Sequence, residues 1–128
     1  MSGLLKKILY IEDEPDITAI ATVALETVSG FDLKSCSSGF QAIEEIHQFN
    51  PDLILLDVMM PDLDGPSTLT KIRELEQFRD TPAIFMTAKA QPDDIKQLKA
   101  MGVLDVITKP FDPMTLSKQI NQIWENAA

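Results

Sequence analysis

Four short apolar runs constrain this chain most: Ile8 to Ile11, Leu53 to Leu56, Ala83 to Met86, and Val106 with Ile107. None alternates apolar with polar residues, so each reads as a strand buried on both faces, the pattern of a parallel sheet. A more polar fifth strand near Leu33 to Ser37 suits a sheet edge. Helical patterns fill the intervals. Ile17, Ile20, Ala21, Ala24 and Val28 share one helical face, which Gly30 ends. Ser38 caps a second helix carrying Ala42, Ile43, Ile46 and Phe49 before Pro51. Leu69, Ile72 and Leu75 mark a third helix after the turn-rich stretch from Pro61 to Pro66. Ile95, Leu98 and Met101 mark a fourth, closed by Gly102. Asp112 as cap and Pro113 at the first helical position open the last, with Leu116, Ile120, Ile123 and Trp124 facing inward. The expected architecture is α/β: a (βα)5 doubly wound parallel five-stranded sheet with helices on both faces. Residues 1–128 read as one domain, without linker or low-complexity stretch.

A chain of 128 residues with 45% hydrophobic content can bury a real core. No apolar run approaches the ~20 residues that span a bilayer, and Met1 to Lys7 lacks the apolar region of a signal peptide, so a cytoplasmic location is expected. The single cysteine, Cys36, can form neither an internal disulfide nor a metal cluster, which suits a reducing compartment. With 20 acidic against 11 basic residues the net charge is −9, so direct nucleic-acid binding by this chain is not expected.

In open α/β sheets, ligands bind outside the carboxyl ends of the strands. The first strand runs into Glu12 and Asp13, the third ends at Asp57, the fourth at Thr87 and the fifth at Lys109. Three carboxylates in one crevice repel one another and call for a cation. Mg²⁺ suits them, being a hard ion that accepts a few carboxylates and also ligates phosphate. Asp57 can then act as a nucleophile that forms an aspartyl phosphate. Lys109 would neutralise a phosphoryl oxygen as a point charge, and Thr87 would hydrogen-bond another. Such transfer needs mainly positioning and charge stabilisation, which these few groups supply.

The chain resembles the receiver domains of two-component response regulators. The matching segments are Ile11-Glu12-Asp13-Glu14, Leu55 through Asp62, Asp64-Gly65, Met86-Thr87-Ala88 and Thr108-Lys109-Pro110-Phe111, and they cover essentially the whole chain. The resemblance implies a chemotaxis-regulator-like, flavodoxin-like fold with strand order 2-1-3-4-5. It implies that Glu12 and Asp13 are the acidic pair, that Asp57 is both phosphoacceptor and ligand, and that the Met59 backbone carbonyl completes the protein's share of the Mg²⁺ shell. Thr87 would be the switch hydroxyl, Lys109 the family lysine, and the Lys109–Pro110 bond cis. Gly65 would relieve the turn before the third helix. A histidine kinase or histidine phosphotransfer protein would be the donor, an unidentified protein the output partner, and the face formed by the fourth helix, fifth strand and fifth helix a surface for a homodimer. The protein would catalyse only its own phosphorylation and slow dephosphorylation. One position departs from the family pattern: Val106 stands where a tyrosine or phenylalanine usually precedes the lysine by three residues, which puts the threonine–aromatic coupling in doubt.

Asp62-Leu63-Asp64-Gly65 resembles the nucleophile motif of haloacid-dehalogenase-type phosphatases, but that motif needs its first aspartate directly at a strand end. A flavodoxin-like electron carrier would need a phosphate-cradling loop where Glu12-Asp13-Glu14-Pro15 stands. A pseudo-receiver scaffold, binding partners without phosphorylation, is a third rival reading. His47 reads as a helix-surface histidine without a partner, Cys36 and Trp124 as packing residues, and Met59, Met60, Met86 and Met101 as core or loop filler.

Overall fold

The computed structural model describes residues 3–127. Five parallel strands, β1 (Lys7–Ile11), β2 (Asp32–Cys36), β3 (Leu53–Asp57), β4 (Ala83–Thr87) and β5 (Asp105–Thr108), form one sheet in the order β2-β1-β3-β4-β5. The helices are α1 (Pro15–Thr22), α2 (Gly39–Phe49), α3 (Gly65–Glu74), α4 (Pro92–Lys99) and α5 (Leu116–Asn126). The expected fold and strand order are thus observed, with the polar β2 at an edge.

The unalternating runs have a simple cause. Successive residues of a strand point to opposite faces, and both faces are covered. On one side Ile8, Tyr10, Leu53, Leu55, Ile84, Met86 and Ile107 pack with Leu25, Leu116, Ile120 and Trp124. On the other, Leu9, Ile11, Ile54, Leu56 and Phe85 pack with Ala42, Ile46, Leu69, Ile72 and Leu98. Every residue of β3 and β4 is buried as a result. No helix among the described residues is long and apolar enough to cross a membrane.

Four helices differ from the sequence reading. The first continues from α1 into a π-helical segment over Val23–Val28. Its wider turn breaks the 3.6-residue period, so Ala21, Ala24 and Leu25 face the core while Val28 turns out to solvent. Ile20 is half exposed as well, at the margin of the buried face. The third helix begins at Gly65 under an Asp64 cap whose Oδ1 accepts from Ser67 N at 2.8 Å, and it ends at Glu74, leaving Leu75 extended before a short 3₁₀ turn at Glu76–Phe78. The fourth ends at Lys99, so Met101 lies in the turn that follows it. The last helix begins at Leu116, not Pro113. Asp112 Oδ1 accepts from Met114 N at 2.9 Å, so its carboxylate closes a local turn in place of capping the helix. Ser38 caps α2 as expected, its hydroxyl accepting from Gln41 N at 3.1 Å.

Candidate functional site

Strand order reverses about β1, because β2 lies on one side of it and β3 on the other. The crevice at such a switch point opens above the carboxyl ends of β1 and β3. Backbone bonds extend the ladders past those ends and fix what stands there. Glu12 N donates to Cys36 O at 3.0 Å, Val58 N to Met86 O at 3.0 Å, and Lys109 N to Thr87 O at 2.8 Å. Gly65 N donates to Val58 O at 2.8 Å, which folds the β3–α3 loop back over the end of β3. Gly65 serves here by its lack of a side chain, not by an unusual dihedral. A Cβ would fall into the main chain of Asp57 and lie 2.9 Å from Val58 Cα.

These constraints gather Glu12, Asp13 and Asp57, whose carboxylate oxygens lie within 4.8 Å of one another. Lys109 Nζ donates to Glu12 Oε1 at 2.9 Å and to Asp57 Oδ1 at 3.0 Å. Glu12 is almost wholly buried, at 2% exposure. That burial pushes its carboxyl pKa up, and the neighbouring Asp57 charge adds to the rise while Lys109 opposes it. For Lys109, burial disfavours the ammonium, but its bonds to Glu12 and Asp57 outweigh this and hold its pKa above the usual range. Lys109 thus bridges two buried carboxylates, and removing it would leave both without their shared partner.

A hard divalent cation fits this site. Asp13 Oδ1 is buried and has no hydrogen-bond partner, and an orphaned carboxylate oxygen beside two further carboxylates is an all-oxygen donor set of the kind Mg²⁺ takes. Thr87 is buried, its hydroxyl accepting from Lys89 N at 3.0 Å. Met59 lies two residues beyond Asp57 with its side chain exposed. The Lys109–Pro110 bond is cis, as the resemblance implied.

Other sequence candidates lie elsewhere. Asp62 is exposed in the β3–α3 loop with φ 68°, away from any strand end, which is not the placement a phosphatase nucleophile needs. His47 has neighbours after all: Nδ1 sits 3.3 Å from Gln77 Oε1, and the ring meets Phe78 edge-on at 5.2 Å between centroids. Cys36 and Trp124 are buried, Trp124 Nε1 donating to Gly3 O at 3.1 Å. Val106 is half-buried against the cluster containing Phe85 and Leu98. The sequence reading missed Tyr10, which is fully buried on β1 and feels the charges of Glu12 and Asp57. Its position two residues before Glu12, and so on the same strand face, was the available signal.

An open parallel sheet with an acidic crevice and one lysine at its switch point defines a class of small signalling domains, and comparison with known proteins gives it a family. The sequence profile of the response regulator receiver domain matches residues 8–121. The DNA-binding dual master transcriptional regulator RpaA of Synechocystis sp. is 36% identical over 83% of this chain and 44% of its own length. The alkaline phosphatase synthesis transcriptional regulatory protein PhoP of Bacillus subtilis is 35% identical over 92% of this chain and 48% of its own. Among solved structures, the Vibrio cholerae chemotaxis protein CheY4 superposes with a TM-score of 0.84 at 26% identity, covering 94% of this chain and 99% of that one. The receiver domain of the Francisella response regulator 1452 does so with 0.83 at 28%, covering 96% and 99%. The chain belongs to the response regulator receiver domain family. It spans about half the length of the curated relatives it matches.

Proposed function

We propose that this domain is a phosphorylation-controlled switch of a two-component or phosphorelay system, with Asp57 as its phosphoacceptor. The observation that carries the reading is the position of Lys109, shared between Glu12 and Asp57 at the mouth of an acidic triad. A phosphohistidine on a partner kinase or phosphotransfer protein is the donor. The Asp57 carboxylate oxygen attacks phosphorus, an O–P bond forms as the N–P bond breaks, and the departing imidazole takes up a proton. Lys109 follows the negative charge onto a phosphoryl oxygen. The Thr87 hydroxyl, at the adjoining strand end, donates to another. Glu12, Asp13 and Asp57, with the Met59 carbonyl, would hold Mg²⁺, which supplies charge neutralisation at the phosphoryl group.

The acyl phosphate then shifts an equilibrium between two packings, and a partner reads the populated one. The face formed by α4, β5 and α5 is where that partner, or a second copy, would bind. Hydrolysis by water returns Asp57 and inorganic phosphate, so the domain resets itself without being a turnover enzyme. The whole of residues 1–128 acts as one such unit, in the cytoplasm. Intact mass after incubation with a small acyl-phosphate donor tests the reading. A Mg²⁺-dependent gain of one phosphoryl group, lost in Asp57→Asn, is the expected result; no gain under any condition would leave the scaffold reading instead.

A further inference from the structure

α1 and α5 lie on the same side of the sheet, where Ala21 and Leu25 pack with Leu116 and Ile120. Each follows the carboxyl end of a parallel strand, β1 or β5, so the two helices run in the same direction. Their outer sides frame a groove of about 460 Å³, lined by Ile20, Val23 and Val28 on one side and Pro113 and Met114 on the other. A second groove, of about 550 Å³, shares Ile20 and Pro113 with the first and continues it over Ile17 and Phe111.

Met114 is 89% exposed and Val28 76%, and about half of Ile20 and Val23 is open to water. A contiguous apolar face of this kind marks a docking surface. No residue lining the first groove carries a charge, although the chain as a whole carries −9. Copies of so acidic a chain repel one another, and an uncharged face is where that repulsion is least.

The rim carries one charge of each sign. Asp16 is exposed in the first turn of α1, one turn before Ile20 on the same stripe. Lys118 is exposed in the first turn of α5, one residue after the lining Ser117. Neither has an ion-pair partner among the described residues. Both helices start from the same edge of the sheet, so the two charges stand at one level on opposite sides of the groove. A two-fold axis along the groove sets α1 of one copy against α5 of the other, and Asp16 of each copy then faces Lys118 of its mate.

We propose that this face is a self-association surface, an isologous contact between two copies through α1 and the start of α5. A second copy matches both rim charges by symmetry alone, which favours it over an unrelated protein. The contact does not involve Asp57, so it stands apart from the phosphoryl chemistry.

Sedimentation equilibrium of the purified protein, taken up to about 1 mM, tests the inference. Wild type is expected to show a monomer–dimer equilibrium. Asp16→Lys and Lys118→Asp each turn two attractions into two repulsions and are each expected to weaken the dimer about tenfold. The two changes combined are expected to restore it, which a fold defect or a loss of apolar packing would not do. Val23→Glu, a change at a half-exposed position, is expected to leave only monomer. A wild type that stays monomeric overturns the inference. So does a dimer that survives Val23→Glu, or a combined variant no tighter than the single ones. A monomeric wild type whose binding to a histidine phosphotransfer protein is lost in Val23→Glu would give the face to the phosphoryl donor and overturn it as well.

Discussion

Lys109 donates to the carboxylate of Glu12, 97 residues earlier in the chain, at 2.9 Å, and the bond joins the ends of the first and fifth strands across the crevice. Glu12 and Lys109 are each largely out of water, with side chains 1% and 12% exposed. Removing one partner strands the other. Lys109→Met is therefore expected to lower resting stability by about 3 kcal/mol, measured by urea denaturation, and to abolish most phosphorylation. Added Mg²⁺ is expected to recover part of the stability, by relieving the repulsion among the three carboxylates.

Gly65 is required for space. A methyl group there meets the main chain of Asp57 and Val58, which cannot yield as a flexible side chain would. Gly65→Ala is expected to cost at least about 2 kcal/mol and to displace Asp57, reducing phosphorylation more than the loss of stability accounts for. Thermal denaturation and intact mass on the same sample separate the two effects.

Cys36 gives a pH prediction whose sign follows from burial. Desolvation pushes the thiol pKa up to about 12 from an ordinary value of 9.0. Between those values the unfolded chain has lost the thiol proton and the folded one has kept it. The folded state binds more protons, so stability falls as pH rises, by about 1.4 kcal/mol per unit across that window. Below pH 9 the group contributes no slope. Alkylation of Cys36 at pH 8 is accordingly expected only through opening of the fold, at a rate that rises with urea.

Arg73, on α3, donates through its Nη1 to Met101 O and, at 3.3 Å, through its Nη2 to Gly102 O just beyond α4. These carbonyls have few other donors at a helix end. Arg73→Ala is expected to cost about 1 kcal/mol and to speed hydrogen exchange in the α4–β5 turn, while Asp57 still accepts the phosphoryl group.

Much of this architecture was legible because burial on both faces leaves a signature in the strands themselves. Ile54 and Leu56 serve one core, Leu53 and Leu55 the other, and the unbroken run says so. The candidate site was legible because strand ends carry it, so Glu12, Asp13, Asp57, Thr87 and Lys109 could be located once the strands were. What escaped depends on tertiary geometry. The π-helical turn over Val23–Val28 rotates Val28 away from the core its spacing implied. Asp112 has the chemistry of a helix cap and spends it on a turn.

The central claim is that Asp57 carries the phosphoryl group, and chemical trapping of that residue tests it most directly. Acyl phosphates are reduced by borohydride, which converts an aspartyl phosphate to homoserine. After treatment with an acyl-phosphate donor and Mg²⁺, peptide mass spectrometry of the reduced protein should find homoserine at position 57 and aspartate unchanged at positions 13 and 62. Homoserine at position 62, or at no position in a protein that has gained phosphoryl mass, would contradict the account.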